Sequence, residues 1–160
     1  MKKIATILAG MLLFAAAAFS QTPSVTTPSQ NLRLQYKGAR AIGNDVELTV
    51  TITNLSSEEV VLNLVGGTYQ NGMAGSVAYD NDGNIYELNN ILVSVGNKSY
   101  TEQYSSTAFP SQVPVKCHIF VRGVDKAANL FSKVKLCLLC PQLDIRNTGI
   151  HFEINNVSIK

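Results

Sequence analysis

Five consecutive positions, Asp80-Asn81-Asp82-Gly83-Asn84, place two carboxylates and two carboxamides around a glycine. Oxygen donors at that density suit a hard cation, so calcium is the first chemistry to test. An EF-hand loop puts its glycine sixth and its acidic ligands first, third, fifth and twelfth. With Gly83 sixth, Asp80 and Asp82 take the third and fifth places, but Ala78 and Asn89 fall first and twelfth. Two ligands of four make a poor cage. The competing reading makes Asp82-Gly83 the central pair of a two-residue hairpin turn, both residues at positive φ. Antiparallel pairing would then set Tyr79 opposite Tyr86 and Val77 opposite Leu88, an aromatic and an aliphatic pair on one face. The turn accounts for four residues that the calcium loop ignores, and it is the stronger reading.

Sulfur and imidazole come next. Cys137-Leu138-Leu139-Cys140 has the spacing of a redox or zinc knuckle. Such motifs need both sulfurs to converge, usually at a turn or a helix start. Here the pair closes a strand-like run, where three residues span about 10 Å and the two side chains point to opposite faces. A disulfide needs Cα atoms within about 7 Å, which excludes Cys137–Cys140. By alternation Cys117 faces inward, Cys140 shares a face with Leu136 and Leu138, and Cys137 falls on the Lys133 and Lys135 face. If the two strands are hairpin neighbours, Cys117 and Cys140 are the pair that can meet; otherwise all three remain thiols. A zinc set could be written from Cys117, Cys137, Cys140, His118 and His151, yet Cys117 and His118 adjoin on one strand and must face opposite ways. His118 and His151 both read as solvated surface. No G-x-S-x-G nucleophile elbow is present. The glycine-rich segment Val65–Ser76 opens onto a strand rather than a helix, so it lacks the geometry of a phosphate cradle. It reads as a long, mobile loop; Gly66, Gly67, Gly72 and Gly75 suit plain turns better than a binding edge, though loops do concentrate function. No catalytic, cofactor-binding or metal-ligating residue is assigned, and no cofactor is implied.

The elements that carry these residues have a period of two. Leu32, Leu34 and Tyr36 alternate with Arg33, Gln35 and Lys37; Val46, Leu48, Val50 and Ile52 alternate with Glu47 and three threonines. Strands are also expected at 59–65, 76–80, 84–88, 115–121, 132–139 and 149–159, with one short helical candidate at Asp125–Phe131. Seven or eight strands separated by turn signals predict an all-β, two-sheet antiparallel sandwich, with a small closed barrel as runner-up. The runs "DVELTVTITNLSSEEVVL", "DNDGNIYEL" and "FVRGVDKAANLFSKVKLCL" resemble a group of secreted bacterial immunoglobulin-like domains of unknown function, over most of residues 31–159. That resemblance implies an immunoglobulin-like sandwich and carries no site residue with it.

The N-terminus has the pattern of a secretory signal: Lys2 and Lys3, an apolar run from Ile4 to Phe19, and small residues Ala18 and Ser20 before a cleavage. Residues 1–20 are therefore expected to be removed, residues 21–30 to form a disordered Thr/Ser/Pro leader, and residues 31–160 to fold as one domain. The apolar run is short for a membrane span, and no cysteine near the cleavage invites a lipid anchor. The chain has 13 Lys and Arg against 11 Asp and Glu; losing Lys2 and Lys3 leaves 11 against 11. That balance argues against nucleic acid or an anionic membrane as partner. The leading expectation is a non-enzymatic module, periplasmic or secreted, that binds a protein or glycan or joins an envelope assembly. A small-ligand carrier with a pocket in the sandwich is one alternative. A metal protein or enzyme using His118, His151 and the cysteines is the other.

Overall fold

Every period-two run read from the sequence is a strand in the computed structural model, which describes residues 22–69, 75–143 and 149–159. The expected signal peptide, 1–20, lies outside the described residues. Eleven strands are found among those described: β1 Ser24–Thr26, β2 Leu32–Ile42, β3 Asp45–Asn54, β4 Val60–Val65, β5 Val77–Asp80, β6 Ile85–Tyr86, β7 Ile91–Val95, β8 Tyr104–Phe109, β9 Pro114–Val121, β10 Leu130–Leu139 and β11 Ile150–Ser158. They form a two-sheet antiparallel sandwich. One sheet has four strands in the order β2-β3-β9-β7; the other has seven, β1-β11-β10-β4-β8, with β5 also paired to β10 and β6 paired to β5. With strands lettered along the chain, the spatial order β2-β3-β9-β7 follows the A-B-E-D arrangement of an immunoglobulin-like sandwich and β4-β10-β11 the C-F-G arrangement. The remaining strands are additions to that frame.

β10 is the organising strand. One side pairs with β11 along most of its length; the other pairs first with β5 and then, from Cys137 to Leu139, with β4. Alternation sends Leu48, Val50, Ile52 and Ile119 inward from the smaller sheet, and Leu62, Leu64, Val134, Leu136, Leu138, Phe152 and Ile154 from the larger. Each such side chain, fully removed from water, stabilises the fold by about 1.5–3 kcal/mol. Leu136 has no solvent exposure, and Leu136→Ala would cost about 2–5 kcal/mol through lost transfer and an unfilled hole.

The structure corrects the sequence reading in four places. There are eleven strands, not seven or eight, because β7 is buried at all five positions and shows no alternation, while β8 is a Ser/Thr-rich edge. The expected leader is not wholly outside the fold. Its one apolar residue, Val25, packs against the core, and Ser24–Thr26 pair with Asn155–Glu153 of β11. Pro23 and Pro28 bracket that pairing, as prolines do on edge strands. Asp125–Phe131 holds a turn rather than a helix. The Asp125 carboxylate accepts from Ala127 N–H at 2.8 Å, an Asx-turn, and Leu130 and Phe131 already belong to β10. Finally, β5 and β6 pair Ala78 with Tyr86 and Tyr79 with Ile85, one residue off the register expected from a two-residue turn.

Candidate functional site

The register shift settles what the acidic stretch does. Asp80 N–H donates to Asn84 O at 3.1 Å, closing a loop of Asn81, Asp82 and Gly83. Only Gly83 in it has positive φ, at 88°. This is a three-residue hairpin with glycine in the left-handed position. Asp80 is 3% exposed, and both of its oxygens are filled. Oδ1 accepts from Asp82 and Asn84 N–H, each at 2.9 Å; Oδ2 accepts from Asn84 Nδ2 and the Tyr86 hydroxyl, each at 2.8 Å. Burial pushes this carboxyl up, but the hydrogen bonds outweigh it and hold Asp80 below its ordinary value of 3.8. Asn81 Oδ1 meanwhile accepts from Asn129 and Leu130 N–H at 3.2 and 3.3 Å. The polar atoms that suggested a cation are spent on the chain itself, locking the hairpin to the start of β10.

The sulfurs are not assembled for chemistry either. Cys117, Cys137 and Cys140 are buried thiols. β9 and β10 lie in different sheets, so the hairpin geometry that would bring Cys117 to Cys140 does not exist. Cys117 sits in the core, where burial pushes its thiol up to about 12. Cys137 does lie on the Lys133 and Lys135 face. It is nevertheless buried, in a small outer cluster with Val65, Leu139 and Tyr69. Its cross-strand neighbour is His151, but burial raises the Cys137 thiol to about 11, the reverse of an activated thiolate. His118 stands on the outer face of the four-stranded sheet, away from both. The zinc set written from the sequence is therefore dispersed over two faces and the interior. Among the described residues no group of three or more His, Cys, Asp and Glu could hold a metal ion.

What the fold does build is a cleft on the outer face of the seven-stranded sheet, about 650 Å³ in volume. Its floor comes from alternate residues of three adjacent strands: Tyr79 of β5, Lys135 of β10, and His151 and Glu153 of β11. Glu153 is tied down by Lys133 Nζ at 3.0 Å and Lys135 Nζ at 3.9 Å. One wall is the described part of the glycine-rich segment, with Gly67, Tyr69, Gly75 and Ser76; the other is Glu87 and Leu88. That segment was expected to be a mobile loop of turn glycines. Gly72 lies outside the described residues; the described ends are instead pinned by backbone bonds from Gly66 N–H to Gln103 O at 2.6 Å, Gly67 N–H to Ile91 O at 3.0 Å and Thr68 N–H to Glu102 O at 3.0 Å on one side, and from Ser76 N–H to Gly66 O at 2.8 Å on the other. A Cβ at Gly67 would collide with the Leu88 backbone. Glycine is required there for close approach, not for turning. Leu88 itself has φ of 53° and is 57% exposed, a strained leucine presented at the rim. Across Tyr69 lies a second hollow of about 460 Å³, bounded by Val61, Tyr104 and Leu139. Tyr69 thus stands as a ridge between two hollows.

A second polar cluster occupies the outer face of the four-stranded sheet. Glu47, 8% exposed, accepts from Arg40 Nε at 2.5 Å and from the Tyr100 hydroxyl, and His118 Nδ1 approaches it at 3.7 Å. Burial raises Glu47, but the hydrogen bonds from Tyr100 and Arg40, with the charges of Arg40 and His118, bring it below 4.5. The Tyr100 ring lies 5.4 Å from that of Phe120 and 6.4 Å from His118. His118 faces outward as expected, but it is half-covered rather than solvated. Alternation identifies Glu47, His118 and Phe120 as outward-facing; Arg40 faces out only because of the bulge between Tyr36 and Gly38, and Tyr100 lies on the connection from β7 to β8. Their meeting depends on β2, β3 and β9 being neighbours, which alternation does not specify.

No family model matches the chain, and no curated protein matches it. Among solved structures, the N-terminal domain of PorA is similar at a TM-score of 0.43 and 8% identity, over 81% of this chain and 97% of that one. A family 123 glycoside hydrolase from Clostridium perfringens, studied for glycolipid glycan hydrolysis, is similar at 0.40 and 13% identity. That likeness covers 87% of this chain and 28% of the hydrolase. At these scores neither likeness bears on what this chain does.

Proposed function

We propose that the chain is an exported, non-catalytic immunoglobulin-like module that recognises a macromolecular partner, a protein or a glycan, through the outer face of its seven-stranded sheet. One observation carries this reading: the Tyr69 ridge between two hollows, with Leu88 exposed at the rim of the larger. Tyrosine offers a large amphipathic contact at low entropic cost, which is why it is enriched where proteins bind other molecules. Two hollows separated by a ridge suit a partner that extends across both better than a small molecule enclosed in one. A carrier of small ligands is the second reading, and it would use the larger hollow, whose volume lies in the usual range. A pocket between the sheets is not where it would bind, since that space is filled by the core side chains. The non-catalytic reading rests on the filled valences of Asp80, the raised thiols and the neutralised Glu153. Export rests on the signal pattern and on the resemblance to secreted immunoglobulin-like domains.

The test is an array of immobilised glycans and peptides probed with wild type and with the Tyr69→Ala/Tyr79→Ala double variant. A ligand held by wild type and at least tenfold weaker in the variant, with the variant still folded by circular dichroism at the assay temperature, is the expected result. An array in which the two proteins bind alike would discard this face as the binding site. N-terminal sequencing of the exported protein should return Gln21; a mature chain still beginning at Met1 would remove the export reading.

A further inference from the structure

The outer face of the other sheet carries a charge pattern that the chain's overall balance conceals. Arg33, Gln35 and Lys37 alternate outward along β2, and Lys37 Nζ reaches back to Gln35 Oε1 at 3.0 Å. Gln35 lies opposite Thr51 of β3, and Thr51 lies opposite Lys116 of β9, so the three occupy one row across the sheet. Thr49 is the next outward residue along β3. Arg33, Lys37 and Lys116 are all exposed, and among the described residues no carboxylate pairs with any of them. Of the two β3 acids on this face, Glu47 is taken up by Arg40, and Asp45, at the far end of the strand, accepts from Gly123 N–H at 2.9 Å. With about 3.4 Å per residue and about 4.8 Å between strands, the Cα atoms of Arg33, Lys37 and Lys116 stand at the corners of a triangle about 12–14 Å on a side, with the Lys37 ammonium leaning inward to Gln35. The floor between them is Gln35, Thr49 and Thr51, one amide and two hydroxyl side chains.

We propose that this face docks an acidic polysaccharide, a hydroxyl-rich chain bearing carboxylate or sulfate groups at intervals. Charge complementarity sets the sign of the partner, and the rest of the face selects among polyanions. Single-stranded nucleic acid binds to successive aromatic platforms beside a basic groove. Here one exposed ring, Tyr100, packs against Phe120 and His118, so among the described residues there is no succession of platforms. A protein partner would need an apolar anchor at the centre of the contact, and the centre is amide and hydroxyl. An anionic membrane is held by clusters of four to eight basic residues, and three cations spread this widely fall short. A hydroxyl-rich chain with spaced acids matches both parts: cations for its acids, and for its hydroxyls the Gln35 amide N–H and the threonine oxygens that remain beside the bonds Thr51 makes to Gln35 and Thr49 to His118.

Affinity electrophoresis of the folded protein in native gels tests the proposal, with polygalacturonate, dextran sulfate and neutral dextran as the immobile polymers. Expected is retardation by polygalacturonate, dextran sulfate or both, absent with dextran and abolished by 0.5 M salt. The apparent affinity should fall at least tenfold in Arg33→Gln/Lys116→Gln and be unchanged in Lys126→Gln, an exposed lysine outside the face. Which of the two acidic polymers retards more distinguishes carboxylate from sulfate. No retardation at low salt by either acidic polymer would overturn the proposal. So would an equal loss in Lys126→Gln, or tighter binding to an oligothymidylate or to phosphatidylglycerol vesicles than to both acidic polymers. The Tyr69→Ala/Tyr79→Ala variant, on the opposite sheet, should be retarded as wild type, so this outcome and that for the cleft are read separately.

Discussion

Removing the charge of Asp80 is the sharpest test of how this fold is held. Its carboxylate accepts four hydrogen bonds from three residues while buried. A hydrogen bond to a charged group contributes about 1.5–3 kcal/mol. Four of them do not sum, because the Asp82 and Asn84 donors are exposed and regain water, whereas the Tyr86 hydroxyl is buried and does not. Asp80→Ala should therefore cost about 2–4 kcal/mol. Asp80→Asn keeps one acceptor oxygen for the two backbone amides and sets an NH₂ against the Asn84 and Tyr86 donors, for about 1–2 kcal/mol. At about 2–4 °C per kcal/mol for a chain of this size, the Asn variant should melt several degrees below wild type at pH 7. The pH dependence has a definite sign. The folded carboxyl is held below 3.8, so its stabilisation is complete above that value and is lost as pH falls through the folded one. The gap between wild type and Asp80→Asn should close towards pH 2. Melting followed by circular dichroism at pH 7, 4 and 2, with millimolar calcium and with chelator, is the assay. An Asp80→Asn variant that melts within 1 °C of wild type at pH 7, or a wild type that calcium raises and Asp80→Asn does not, would refute the reasoning.

Three further outcomes follow from the same physics. The two glycines should respond differently: Gly83→Ala places a Cβ in open space at positive φ and costs about 1 kcal/mol, whereas Gly67→Ala meets the Leu88 backbone and should unfold the cleft wall, seen as a larger drop in melting temperature. The three thiols should be unreactive to a thiol reagent in the native protein and should all react after unfolding, since Cys117 and Cys137 are buried and raised to about 12 and 11; rapid native labelling of Cys137 would contradict its burial. Glu47→Gln should lower the melting temperature at pH 7 by about 1 kcal/mol equivalent, and that difference should shrink as pH falls below 4.5, because a lowered carboxyl stabilises only while ionised.

The residues alone determined the β character of this chain, because a period of two over runs such as Val46–Ile52 admits no other element. They also determined which side chains face in and which face out along the regular runs of β3, β9 and β10, and that Asp80–Asn84 is a turn. Three things stayed out of reach for a common physical reason: none is a property of one strand. β7 is covered on both faces, so its five buried residues show no alternation to read. The hairpin register shifted by one residue because Asp80, which local pattern treats as a polar turn residue, turns inward to satisfy the Tyr86 hydroxyl beneath it. Sites on the sheet faces depend on which strands are neighbours. Lys135 and Glu153 meet because β10 pairs with β11, and Arg33, Lys37 and Lys116 share a surface because β3 lies between β2 and β9. A net charge near zero says how many cations and anions the chain has. Only the packing of the sheets decides that the unpaired cations of one face lie together.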